Sequence, residues 1–556
     1  MKRTKLLAIV LVFALALMLT FGGCGQQAEE PTDPEEPEEE VEEETEEPVD
    51  EGPKEGGTLV IAVSADPVAL DPHLQADWNT RQGIAYMFDG LTIVGVDDSG
   101  VEEEIQPALA RDWDISEDGL TFTWYLREDV VFHDGTPFNA DAVVFNYERF
   151  LDPEFNANEH PHIVDRLESI EALDEFTVQM NMLRVDIFWE ASVSGHYMVS
   201  PTAVQEQGDD GFARHPVGTG PFQFKSYAAD SQIEMVRFDD YWRGAPLLDG
   251  LRVRIIPEDS TQHLELEAGS IDLAYNYAIT PADVDRMEDA GIVIERRLTP
   301  SNAMLAMNLA DGPMTDLRVR QAVAHAIDRD LIIEEILLGA AEKSNVGLPP
   351  VTPLYPDRLP LIDYNLAKAG ELLDEAGWVM GDDGIRERDG ETLTLNILTS
   401  DREERVLMSQ IIHEQLQDVG IDAEMTTLEW GAYLDACRAG DYDLTYWILY
   451  GSVWTNYTAS SNIRSGRHWN IFQIEHQPEL AEVSERIDYL LDSFGEEVDE
   501  ARRVELISEY QDLMREHMIM FFLWNEANFN AAQPWVKDYH LYNYNLYFLH
   551  EAWLDK

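Results

Sequence analysis

The chain has 556 residues, 45% of them apolar and 10% aromatic, with two cysteines. Acidic residues number 108 against 38 Lys and Arg, a formal net charge of −70 at pH 7. A field of that sign repels phosphate backbones and anionic headgroups, which argues against nucleic acid and acidic lipid as partners.

Lys2, Arg3 and Lys5 open the chain, an apolar run follows from Leu6 to Leu19, and Phe21-Gly22-Gly23-Cys24 ends it. A basic start, a short apolar stretch and small residues form the pattern of a signal peptide, expected over residues 1–23. The run falls short of the roughly 20 residues a spanning helix needs. Its end resembles the lipobox of bacterial lipoproteins, which implies a lipid on Cys24; Phe21 stands where that motif usually has leucine. An uncleaved anchor is the alternative. Either reading places the remaining chain on the extracytoplasmic side of a cell membrane. Residues 24–55 then form a tether: Glu29 to Glu55 is rich in Glu and Pro with almost nothing apolar, so it cannot bury enough surface to order itself.

From Gly56 onward 92 acidic residues stand against 34 basic ones, so the tether explains only part of the charge. Lysine is scarce there: Lys225, Lys343, Lys368, Lys537 and Lys556. The expected meaning is adaptation to high salt, where screening blunts self-repulsion; an acidic but ordinary secreted protein is the alternative. No later segment is apolar and long enough to span a bilayer. With Cys24 lipidated, Cys437 has no disulfide partner, and its helical surroundings predict a packed thiol.

The body opens on Gly57 to Val63, an apolar run suited to a buried strand. Thr121 to Leu126 predicts a strand and Asp141 to Phe150 an amphipathic helix. Thr280-Pro281-Ala282-Asp283 has a Thr cap, Pro at the first position and an acid in the first turn, so a helix is expected up to Gly291. Further on, Thr392 to Thr399 predicts a strand, Arg402 to Val419 a helix, and Ile421 to Leu428 a second strand. That crossover is long enough for parallel pairing. A helix near Tyr433 to Arg438 should stop at Gly440, before a strand from Tyr442 to Leu449. Alternating strands and helices predict α/β lobes.

Several strings, in order, resemble the peptide- and nickel-binding family of solute-binding proteins that feed ABC importers. They are Ala65 to His73, Phe88-Asp89-Gly90-Leu91, Pro107-Ala108-Leu109-Ala110, and Leu126 to Phe138, the most specific of them. Gly218-Thr219-Gly220-Pro221-Phe222, Arg237 to Trp242, Glu267 to Asp272, Val319 to Val323 and Leu372 to Trp378 follow. The resemblance covers Gly56 to the C-terminus. It implies a two-lobed periplasmic-binding-protein-like α/β fold with a hinge, of the large class with an inserted subdomain. Lobe I would span 56–298, with the insertion at about 110–201; lobe II would span 299–524, and 525–556 would return to lobe I. It also implies an ABC permease and ATPase as partners, and no cofactor.

An enzyme would need a motif that is not here. The chain has no Gly-x-Ser-x-Gly elbow, no His-Glu-x-x-His helix and no phosphate loop, and Gly218-Thr219-Gly220 lacks a third glycine, so it predicts a turn. Binding needs aromatic walls and a few fixed polar groups. By the resemblance, the ligand-facing strand end carries Trp447, Tyr450 and Trp454, with Tyr275, Asn276, Asn302 and Met304 near the lobe crossing. Many peptide binders place an Asp after this Trp for the ligand's ammonium, whereas Ser452 to Asn456 holds no acid. Members of the nickel branch instead carry a loop histidine that completes a metal–chelate complex. His468 has compatible spacing, with Arg464, Arg467 and Arg127 as candidates for the chelator's carboxylates. A lone histidine in a polar loop is otherwise simply exposed. The expected ligand is a short peptide. A nickel–chelate complex is the alternative, and a peptide-sensing receptor that signals without transport is a third reading.

Overall fold

The computed structural model describes residues 52–67, 69–74, 78–96, 103–155, 157, 160–274, 279–344, 362–449, 465, 471–472, 474–542 and 546–556. Cys24 lies outside them, as do Tyr275, Asn276, Tyr450, Trp454, Arg464, Arg467 and His468.

Two long strands, Val293–Met307 and Met520–Ala532, organise the molecule. Met520 to Asn525 is buried at every position, which suits a strand covered on both faces. The two run antiparallel in the middle of an 11-stranded sheet. Beyond the first lie Leu444–Leu449, Thr394–Ser400 and Asp422–Leu428; beyond the second lie Leu273–Ala274, Thr58–Val63, Gly250–Ile255, Gln232–Arg237 and Phe222–Ala228. The register of the long pair slips midway. Leu298 faces Ala527, but Asn302 faces Asn525, so three residues of one strand oppose one of the other.

Cores on either side of this pair give an α/β molecule with two lobes. One core gathers buried residues between Ala303 and Trp524; another gathers Leu59 to Leu273 with Ala532 to Leu554 from the tail. A separate four-stranded antiparallel sheet, ordered Ala110–Ile115, Thr121–Leu126, Thr177–Met182, Leu167–Asp174, has its own core and is covered by the helix Ala140–Leu151. This third body is tied to the lobe of Leu59. Arg149 Nη2 lies 2.6 Å from Asp71 Oδ2, His73 Nε2 donates to Tyr197 O at 2.9 Å, and Met198 N–H donates to Asp89 O at 2.9 Å.

Most expected elements form near their expected bounds, for local reasons. The strand–helix–strand unit pairs in parallel from Thr394↔Asp422 to Ser400↔Leu428. Its first strand starts at Thr394, because Glu391–Thr392 is spent on a small hairpin sheet with Arg386–Arg388. The helix expected near Tyr433 is Trp430–Ala439; it begins earlier because the Glu429 carboxylate accepts from Ala432 N–H at 2.8 Å, and it ends on Gly440 at φ +75°. The last of these strands starts at Leu444 rather than Tyr442. After Thr280 a 3₁₀ turn, Pro281–Asp283, precedes the short helix Val284–Asp289, with Thr280 and Asp283 forming a capping box. Cys437 is fully buried, and loss of water pushes its thiol up to about 11. Among the described residues no helix is long and apolar enough to cross a membrane.

Candidate functional site

The strands Thr394–Ser400, Asp422–Leu428 and Leu444–Leu449 are mutually parallel, so their carboxyl ends share one edge. In open α/β sheets that edge leaves a crevice, because the connections depart there and the next helices begin there. Ser400 leads through Arg402 into the helix Glu403–Gln417, and Leu428 leads into Trp430–Ala439. The segment holding Tyr450 to His468 starts where Leu444–Leu449 ends.

Aromatic rings line this place in sequence. Trp430, 40% exposed, stacks on buried Tyr433 with centroids 5.4 Å apart, and Tyr433 stacks on Trp447 at 6.4 Å. Tyr433 is held by its hydroxyl, which donates to Tyr446 O at 2.7 Å. The Arg405 guanidinium, buried, sits 5.1 Å from the Trp430 ring, 5.3 Å from Tyr446 and 5.8 Å from Tyr433. Arg402, exposed, lies 5.3 Å from Trp430. Cation–π attraction of this kind fixes a guanidinium without neutralising it.

Two carboxylates complete the wall. Glu526, on the second long strand, accepts at one oxygen from the Tyr446 hydroxyl and from Trp524 Nε1 at 3.0 Å. Glu404 is open to solvent, and among the described residues no hydrogen bond or ion pair holds its carboxylate. Loss of surrounding water pushes its pKa up, the charge of Glu526 pushes further, and Arg405 and Arg402 oppose them. Asp259, in the first turn of Asp259–Glu267, shows the same pattern from the other lobe: it is exposed, raised by burial, and opposed by His263 and by Arg402.

The structure brings three of the expected site residues together. Met304 pairs directly with Trp447 across the first long strand, and Asn302 lies two residues along. Met304 is fully buried in the core, and Trp447 is 9% exposed. Asn302 is also buried; its Oδ1 accepts from Asn525 Nδ2 at 2.9 Å and from Ser344 Oγ at 3.5 Å, where the register slips. Arg127 is elsewhere. Its Nε donates to Ala108 O at 2.8 Å and its guanidinium stacks on Trp242 at 4.3 Å, beside buried Asp89, which accepts from Thr219, Tyr241 and Trp242. Sequence reasoning missed Arg402, Glu404, Arg405, Trp430, Glu526 and Asp259. The available signal was positional: Arg402 to Arg405 and Trp430 follow directly on the ends of adjacent parallel strands. Among the described residues no group of three His, Cys, Asp or Glu is placed to hold a metal ion.

The chain matches the family model for bacterial extracellular solute-binding proteins, family 5 Middle, over residues 104–470. Heme-binding protein A of Haemophilus influenzae is 30% identical over 364 residues, covering 61% of this chain and 64% of that protein, a little under two thirds of its length. Di/tripeptide-binding protein 1 of Pseudomonas aeruginosa is 26% identical over 480 residues, 82% of this chain and 86% of that one. Among solved structures, NikA from Brucella suis in complex with Fe(III)-EDTA superposes with a TM-score of 0.78 at 25% identity, covering 87% of this chain and 96% of that chain.

Proposed function

Because this chain belongs to the bacterial extracellular solute-binding proteins of family 5, we propose that it captures short peptides where its lobes cross and hands them to a membrane permease driven by a separate ATPase. Lobe I runs over 56–298 with the inserted body at about 110–201, lobe II over 299–524, and the tail from Asn525 returns to lobe I. A lipid on Cys24 and the acidic tether of residues 24–55 hold the protein at the outer face of the cell membrane. A peptide that touches both lobes shifts the open–closed equilibrium by its extra contacts in the closed form. The protein needs no catalytic group for this.

The observation that carries the reading is Glu404. A buried ammonium without a counter-charge costs several kcal/mol, roughly, and Ser452 to Asn456 offers none. Glu404, exposed near the start of the helix that follows Thr394–Ser400 and with its carboxylate unpaired among the described residues, supplies that charge. Exposed Trp430 offers a flat apolar face beside it. Likeness to a di/tripeptide-binding protein over 82% of the chain supports the same ligand class.

A nickel–chelate ligand is the second reading. Arg402 has no carboxylate in ion-pair contact among the described residues and could take a chelator's carboxylate, with His468 as metal ligand. Native mass spectrometry on protein purified from its own host separates the two. Extra masses matching short peptides, weakened about 10- to 100-fold in affinity by Glu404→Gln, support peptide capture, as expected for a charge-assisted hydrogen bond. A single extra mass with nickel's isotope pattern replaces it with the second reading.

A further inference from the structure

A half-open recess of about 70 Å³ lies where three stretches of chain meet. Tyr86 to Gly90 come from the lobe of Leu59, Ser194 and Tyr197 from beside the four-stranded sheet, and Phe548 to His550 from the tail. None of the residues lining it belongs to the two long strands or to the crevice described above. It holds more room than a single water takes.

Its walls are aromatic. Tyr86, Phe88, Tyr197 and Tyr241 are buried, and Phe548 is half-buried. Phe88 stacks on Tyr197 with centroids 6.0 Å apart, while Tyr241 and Phe548 each meet the His550 ring edge-on at 6.1 Å. Into this wall is set Asp89, 7% exposed. Its carboxylate accepts from Thr219 Oγ1 at 3.0 Å, the Tyr241 hydroxyl at 3.2 Å and Trp242 Nε1 at 3.1 Å, all neutral donors. Among the described residues no ion pair reaches it. Arg243 acts on it only through space, from 4.7 Å over the Trp242 ring, and loss of water still holds the Asp89 pKa above the ordinary carboxylate value. A buried carboxylate served by neutral donors alone favours a cation beside it.

The same geometry selects the kind of cation. Three hydrogen bonds already occupy most of the roughly four acceptor positions of a carboxylate. A primary ammonium or a guanidinium would therefore leave N–H groups unmatched among the rings. A metal ion would find one carboxylate, and among the described residues no group of three His, Cys, Asp or Glu to hold it. A methylated ammonium donates no hydrogen bond. It needs aromatic surface and a nearby negative charge, and both are present here.

We propose that this recess is a second binding site, for a small methylated ammonium ion, with Tyr86, Phe88, Tyr197, Tyr241 and Phe548 as its walls and the Asp89 carboxylate as its counter-charge. Arg243, and Arg81 at 5.7 Å from the Tyr197 ring, oppose the cation and keep its binding weak. The site requires neither peptide capture nor lobe closure, so its failure leaves both untouched.

The test is a titration of the full protein with tetramethylammonium chloride, followed by saturation transfer to the methyl signal, with NaCl adjusted to hold ionic strength constant. Saturable transfer is expected, and its absence overturns the site. Asp89→Asn should weaken binding by about tenfold or more. If that variant does not fold, Phe548→Ala, at a half-buried position, decides the matter with a loss of about three- to tenfold. An affinity unchanged in the variant that folds overturns the proposal. So does binding lost in Glu404→Gln, which places the cation where the lobes cross.

Discussion

Arg149 and Asp71 form an ion pair 2.6 Å long whose side chains are 6% and 0% exposed. The guanidinium is almost fully engaged. It also reaches Asp209 at 2.8 Å and His73 Nδ1 at 2.9 Å, and it lies 3.8 Å from the Phe155 ring. A charge taken this far from water persists only when its partners replace the lost solvation. The pair is thus a fastener between the inserted body and the first lobe.

Removing one partner should be severe. Arg149→Leu leaves the Asp71 carboxylate buried and uncompensated, and we expect a loss of about 3–5 kcal/mol in urea unfolding. Adding Asp71→Asn should recover much of it. Equal stability of Arg149→Leu and the unmodified protein would contradict the burial described.

His73 and His133 set an acid limit. His73 donates from Nε2 to Tyr197 O while Nδ1 accepts from Arg149; His133 donates from Nε2 to Gly220 O at 2.9 Å while Nδ1 accepts from Gly218 N–H at 3.3 Å. Both rings are thereby fixed neutral, and burial pushes each pKa down to about 4. Below the ordinary value of about 6.5 the unfolded chain takes up protons that the folded chain refuses. Stability should therefore be flat above that pH and fall as pH drops towards 4, by up to about 3 kcal/mol for each histidine. Urea midpoints across this range, with ring signals of His133 still neutral at pH 5, check it.

Gly220 is required for space, not for conformation. A Cβ there would lie 2.5 Å from Met87 C and Phe88 N, all backbone. Gly220→Ala should cost about 1–3 kcal/mol or more through backbone displacement. Gly135, at φ +80° with nothing within 4 Å, offers the contrast; there Ala should cost about 1 kcal/mol from the left-handed backbone alone. Paired thermal melts distinguish the two.

Charge should make the fold depend on salt. With 92 acidic against 34 basic residues from Gly56 onward, self-repulsion is relieved by screening. The melting temperature should rise between low and molar NaCl. A flat profile would leave the protein acidic but not salt-adapted.

The parts of the fold legible in the sequence were those written locally. The unit from Thr394 to Leu428 shows an apolar run, a helix and Gly420 in order, and parallel pairing follows from connection length. The slip between Leu298 and Asn302 has no local signature, since it arises from how two distant strands align. The site was legible in part for the same reason. The resemblance put Trp447 at a strand end and Asn302 and Met304 near the lobe crossing, and the strand register sets Met304 beside Trp447, but Glu404 and Glu526 were invisible among 108 acidic residues. Only the order of strands in the sheet singles them out. Arg127 carries a chemistry that suits a chelator, yet what it meets is Trp242.

The register slip has a mechanical consequence. Between Leu298 and Asn302 the long strands forgo ladder pairing, so bending there would break no rung of the ladder. The slack sits beside Asn302, Asn525 and Ser344, whose amide and hydroxyl groups can trade partners as the backbone turns. On one side the ladder runs unbroken from Val293 to Leu298, whereas on the other a second shift follows at once between Ala303 and Met304, so the irregularity of the long pair is concentrated in this short stretch.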